Sequence, residues 1–359
     1  MQLEFVEKPP DAEAWARELD ISREAIELYL ASDVIDLHID SFIWQRVFGY
    51  ELRRRHGLGL FGGRFYSQVD FPRALEARLS GATWAITTNP LRTGAERLDT
   101  FFSNLRALRE LFQSVASHFA VVRNLSEYRA ARALGKHAAF IGVQGGNALD
   151  HDLGAFDLLP ESLILRITVV HLSESRLGMT SSPLGAKKDA GLTDLGREFV
   201  RRLNEKRIFV DLAHISKRGF WDAVAVHDRA QPLIVTHTGV SGVCEHWRNL
   251  DDAQLAAVAE SGGTIGIMYQ SSFLGDRWWG GRAESIVRHI EHVIDTVGED
   301  HVSLGSDWDG AILPPRDLVS CLELPRLVEL MLGRGHGPER IQKVLGGNFL
   351  RALGNLRGR

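Results

Sequence analysis

Short apolar runs recur along this chain, each followed by a longer stretch with helical spacing. The runs are "DVIDLHID" at 33–40, "GATWAITT" at 81–88, "AAFIGVQ" at 138–144 and "LILRITVVH" at 163–171. They continue with "RIFVDLAH" at 207–214, "PLIVTH" at 232–237, "GGTIGIMY" at 262–269 and "HVSLGSD" at 301–307, eight in all. Each is rich in β-branched residues and nearly continuous in apolar character, as parallel strands covered on both faces must be. Between them lie patterns such as "TDLGREFVRRLNEKR", with Thr193 placed to cap a helix, and "AESIVRHIEHVIDTVG", which stops near Gly298. Eight strand–helix alternations predict an α/β fold, a (β/α)8 TIM barrel over 33–359. The competing doubly wound sheet lacks a glycine-rich phosphate loop after its first strand. Residues 1–32 read as a helical extension, and "HGPERIQKVLGGNFLRALG" as a closing helix pair.

Composition narrows the function classes. A net charge of -4 gives no basis for nucleic acid or an anionic membrane as partner. The two cysteines, Cys244 and Cys321, are far apart and form neither a disulfide framework nor a thiolate metal site. The amino-terminal stretch lacks the apolar core of a signal peptide, and no apolar window reaches spanning length. The expected compartment is the cytoplasm.

In a barrel of this kind, chemistry sits at the carboxyl ends of the strands. There the runs deliver His38 and Asp40, Gln144, His171, His214, His237 and Asp307. The period-two pleat puts His38 and Asp40 on one side of their strand. An imidazole beside a carboxylate suits a zinc-like cation, and two further imidazoles complete a tetrahedral set or found a second site. In "GSDWDG", Asp307 ends the apolar run and is favoured as proton acceptor, whereas Asp309 reads as an organiser of the turn. Arg248, in the loop after the sixth run, is placed to hold a substrate carboxylate bidentately.

These residues resemble the membrane dipeptidase (renal dipeptidase) family of the amidohydrolase superfamily. "DLHID", "GLTDLGREFVRRLNEKRIFVDLAHIS", "IVTHTGV", "RNLDD", "LGSDWDG" and "IQKVLGGNFLRAL" follow in that family's order, from about residue 33 to 353. The resemblance implies a two-zinc barrel in which His38 and Asp40 bind one metal and His214 and His237 the other. It implies that His171 contacts the tetrahedral intermediate, Arg248 clamps the terminal carboxylate, and Asp307 carries the proton and meets the substrate amine. It also implies a dipeptide substrate, often with a D-residue at the carboxyl side, and a homodimer.

Two positions depart from the family pattern. Where its third strand ends in a glutamate bridging both metals, this chain has Gln144. The family's tyrosine after the seventh strand, an oxyanion contact by resemblance, falls on Gln270; Tyr269, the substrate-binding candidate here, stands one residue early and so on the opposite face. An amide offers one neutral carbonyl oxygen and an NH2 that cannot ligate. The expectation is therefore one tight zinc ion, a second site weak or empty, and Gln144 a weak ligand or none. The alternatives are hydrolysis of another small amide, N-acyl amino acid, ester or lactone, and a catalytically impaired descendant that only binds.

Overall fold

The computed structural model describes residues 2–88, 92–173, 175–183, 190–276 and 280–358. Its strands are β1 (Ile35–Ile39), β2 (Gly81–Thr87), β3 (Phe119–Val121), β4 (His137–Gln144) and β5 (Ile164–Thr168). The remainder are β6 (Phe209–Asp211), β7 (Ile234–Thr238), β8 (Thr264–Ile267) and β9 (Val302–Leu304). All pair in parallel in the order β2-β1-β9-β8-β7-β6-β5-β4-β3, and a further β2–β4 ladder closes the ring. The closed barrel thus consists of the eight expected strands. The ninth, β3, was not expected; it pairs only with the start of β4, through Phe119–His137 to Val121–Ala139. Three residues carry too little periodicity to stand out in sequence.

Burial explains why these runs are so uniformly apolar. Every residue of β1, β2, β4 and β5 is buried, because helices cover the outer face while side chains fill the interior. The helix Asp194–Glu205 begins as the sequence indicates: the Thr193 hydroxyl accepts the Gly196 N–H at 3.1 Å. The helix Glu284–Val297 ends at Gly298, whose φ is +93°. The anticipated closing helix pair is instead one nearly continuous run, Pro338–Gln342 and Asn348–Arg357 joined by a π-helical turn at Lys343–Gly347. A Cβ on Gly346 would lie 2.4 Å from the Asp33 carbonyl oxygen, so this turn can approach the entry to β1 only because the side chain is absent. Arg357 then seals the strand-start end of the barrel. Its guanidinium donates to the carbonyls of Arg207, Ser162 and Ile164 at 2.6–2.9 Å.

Two helices, Ala12–Leu19 and Arg23–Leu30, precede the barrel, and the Tyr29 hydroxyl of the second donates to the Ala77 carbonyl at 2.6 Å. Among the described residues, no helix is long and apolar enough to cross a membrane.

Candidate active site

At the carboxyl end of the barrel the strands run out within a few residues of one another, and their last side chains converge. His38 lies within β1 and Asp40 just beyond it, with the Asp40 N–H donating to the Trp308 carbonyl at 2.8 Å. Gln144 is the last residue of β4, and His237 lies within β7. His214 and Asp307 stand three residues past β6 and β9, both with φ of +65°, a left-handed conformation that non-glycine residues adopt at some cost. That conformation turns each side chain back over the barrel mouth.

The contacts are short. His38 Nε2 is 3.4 Å from Asp40 Oδ2 and 3.5 Å from Asp307 Oδ1. The Nε2 atoms of His214 and His237 are 2.8 Å apart. Among the described residues, potential ligand atoms of His38, His237 and Asp307 all lie within 4.8 Å of one another. His171, three residues beyond β5, sits at the rim with its ring edge-on to His214 at 4.6 Å between centroids. Asp309 faces away: its carboxylate accepts from the Ser41 hydroxyl and from the Gln68 and Val69 N–H groups, tying down the loop after β1.

Burial dominates the electrostatics. It pushes His214 and His237 well below the ordinary histidine range and His171 down to about 4, so all three are neutral near pH 7. Burial, with Asp40 close by, raises the Asp307 carboxyl well above the usual carboxylate range, and Arg248 opposes it. For Asp40 burial also pushes upward, but its contacts with the His38 ring and the Thr87 hydroxyl outweigh it and hold the carboxyl below its usual range.

Arg248 is 3% exposed, and its guanidinium donates to the His237 carbonyl at 2.6 Å. With His214, Trp247, Leu212 and Ile215 it lines a cavity of about 310 Å3. Tyr269 is not brought into the cluster. It is fully buried against the Trp308 ring, and its hydroxyl has no partner among the described residues. Gln270 is occupied in a loop brace, donating to Ser272 and accepting the Leu313 N–H.

Gln144 resolves into a hydrogen-bonding role. Its amide nitrogen faces Asp40 Oδ2 at 2.8 Å and Thr87 Oγ1 at 3.0 Å, while the Thr87 hydroxyl donates to Asp40 Oδ1 at 2.6 Å. The opposite orientation would set the amide oxygen against the Asp40 carboxylate oxygens and turn the amide nitrogen to His214 Nε2.

Two residues essential to this arrangement were not singled out in the sequence: Arg166 on β5 and Asp211 on β6. Arg166 is 1% exposed and donates to Thr168 Oγ1 at 2.7 Å, Asp211 Oδ2 at 3.3 Å and His38 Nδ1 at 2.5 Å. Asp211 also accepts from the Thr236 hydroxyl at 2.7 Å, and Thr236 Oγ1 lies 2.9 Å from His237 Nδ1. With its own proton given to Asp211, the Thr236 hydroxyl can only accept from His237 Nδ1–H, which leaves the Nε2 lone pair facing the site. That is the arrangement of a metal-ligating histidine, whose second nitrogen donates to an oxygen. His214 Nε2 lies 2.8 Å from the His237 Nε2 lone pair, so without an ion the His214 proton sits on Nε2; its Nδ1 has no partner among the described residues and is open to take that proton. Neutral imidazoles beside a buried carboxylate fit one divalent cation. The signal for the missed pair was a lone arginine inside the apolar run "LILRITVVH" and an aspartate inside "IFVDLAH".

Comparison with known proteins agrees with this geometry. Residues 22–357 match the family model described as membrane dipeptidase, peptidase family M19. A dipeptidase, tcpJ, from Claviceps purpurea is 25% identical over 293 residues, covering 79% of this chain and 68% of that protein. An uncharacterised protein of the pqqA 5′ region of Klebsiella pneumoniae is 37% identical over 169 residues, which span 46% of this chain and 61% of that protein. Among solved structures, dipeptidase AC, a metallo peptidase of family M19, superposes with a TM-score of 0.80 at 27% identity over 91% of this chain and 99% of its own. A metallo peptidase from Rhodobacter sphaeroides, liganded with a phosphinate mimic of L-Ala-D-Ala, gives 0.79 at 26% identity over 90% of this chain and 98% of its own. This chain belongs to the membrane dipeptidase family, peptidase family M19, a family of metal-dependent hydrolytic enzymes.

Proposed function

We propose that this protein is a zinc-dependent dipeptidase that hydrolyses dipeptides with a free carboxylate, including those with a D-residue at the carboxyl side. The observation that carries this reading is the convergence of His38, Asp40, His214, His237 and Asp307 beside a buried arginine, Arg248. The Rhodobacter sphaeroides relative, which holds an L-Ala-D-Ala mimic, supports the stereochemical part. The single-ion site centres on His237, whose Nε2 lies 2.8 Å from His214 Nε2 and whose ligand atom lies within 4.8 Å of one on Asp307, with Gln144 contributing weakly or not at all. A divalent cation in such a site polarises a scissile carbonyl and lowers the pKa of water to about 7.

The chain's own groups supply the rest. Arg248 pairs its fork with the substrate carboxylate and fixes the register of the dipeptide. His171, neutral because burial depresses its pKa to about 4, offers an N–H to the oxygen that gains charge. Asp307 takes the proton of the attacking water at its carboxylate and passes it to the departing amine. Its raised affinity for protons suits it to hold that proton between the two transfers. The buried Tyr269 hydroxyl plays no part in this scheme.

Zinc content per chain, measured with turnover of a dipeptide library containing L,L and L,D members, tests the reading. The expected result is one zinc per chain and hydrolysis confined to substrates with a free carboxylate. A protein without bound zinc that turns over no dipeptide overturns it. Turnover of lactones or esters alone would establish the competing substrate class.

A further inference from the structure

Arg166 occupies an unusual place for a permanent cation. It projects from β5 into the barrel beneath the cluster of metal-ligating side chains, at 1% exposure. The neighbouring strand makes room for it: a Cβ on Gly142 would lie 2.6 Å from Arg166 Nε, so only glycine at that point of β4 admits the guanidinium. Its partners are Thr168 Oγ1, Asp211 Oδ2, the Val143 carbonyl and His38 Nδ1.

A guanidinium has five donors and no acceptor, and it does not deprotonate in proteins. Its 2.5 Å contact with His38 Nδ1 is therefore possible only if that nitrogen carries a lone pair. The proton of the neutral ring then sits on Nε2, which faces Asp40 Oδ2 at 3.4 Å and Asp307 Oδ1 at 3.5 Å. A protonated Nε2 cannot ligate a metal ion. The same half of the site is closed from the other side by Gln144, whose amide nitrogen donates to Asp40. His237 has the opposite arrangement, with an acceptor behind it and its Nε2 lone pair facing the site.

We propose that Arg166 is a positioning residue that locks His38 with its proton on Nε2, so that His38, Asp40 and Gln144 form a hydrogen-bonded unit that takes no metal ion of its own. The charge of Arg166 lies on the Nδ1 side of His38, where it offsets the carboxylates of Asp211, Asp40 and Asp307. This deepens the reading of the cluster as a metal site and rests on it. A consequence is that Gln144→Glu, which restores a bridging carboxylate, is not sufficient for a second ion while Arg166 remains.

The test uses the full chain labelled with 15N-histidine, with long-range 1H–15N correlation and His38→Gln to assign the His38 signals. In the wild type, before and after saturating zinc, His38 is expected to show a protonated Nε2 and an unprotonated Nδ1. Arg166→Lys keeps a charge beside Asp211 but loses the fork that reaches both partners, and is expected to release the tautomer. Zinc per chain is expected to stay at one in Gln144→Glu and to rise to two in Gln144→Glu/Arg166→Met. A proton on Nδ1 in the wild type, or two ions in Gln144→Glu alone, overturns the proposal. Because the tautomer is read in metal-free protein, a failure of the zinc-dipeptidase reading leaves a separate signature: no zinc bound and no turnover.

Discussion

The two halves of this site both present histidines but surround them differently. On the β1–β4 side, His38 meets a guanidinium, and Asp40 is held by Thr87 and Gln144. On the β6–β7 side, the histidine rings face each other with an acceptor, Thr236, behind His237. One carboxylate, Asp211, serves both: it pairs with Arg166 on one side and accepts from Thr236 on the other. A histidine's capacity to hold a metal is thus set by what touches its far nitrogen as much as by where the ring points.

The sharpest way to break this comparison is to remove each histidine in turn. His237→Ala is expected to lower kcat/KM by about 1,000-fold and to lose the bound ion, because the proposed site centres on that ring. His38→Ala is expected to keep the ion, as read by elemental analysis. Equal metal loss in both variants would erase the distinction between the halves.

Arg248→Ala should raise KM about 100-fold for dipeptides with a free carboxylate and far less for their amides. Equal effects on both substrate types would assign Arg248 a structural role through the His237 carbonyl. A smaller effect is expected behind the ring. Thr236→Val, which removes the acceptor for His237 Nδ1–H, should weaken zinc binding about tenfold by competition with a chelator. Unchanged affinity would mean that Thr236 does not set the tautomer. Smallest in magnitude, Gly142→Ala should cost about 1 kcal/mol of stability by crowding Arg166, measured by denaturant unfolding. A neutral result would show that the guanidinium has room to move.

Much of this could be read from residues alone, for identifiable reasons. Each of the eight barrel strands must be buried on both faces, and that requirement writes itself into the sequence as an apolar run. The strand-end rule then picked out His38, Asp40, His214, His237 and Asp307 without any coordinates. The choice of Asp307 over Asp309 followed from the same logic, and the structure places only the former beside His38. Gln144 stood out as a neutral amide where a carboxylate belongs. Less was visible in β3, too short for a pattern, and in the closing helices, where a π turn rather than a loop joins the segments.

Sequence by itself determined the barrel, the family, and the set of side chains delivered to its mouth. Periodic burial and strand ends are local properties of a chain, and they survive being read one residue at a time. Only the tertiary structure decided what each of those side chains touches. Arg166 and His38 are separated by 128 positions, and the direction of their hydrogen bond depends on closure of the barrel. That contact determines which nitrogen of His38 faces the site with a proton on it, and no spacing within a single strand can encode it.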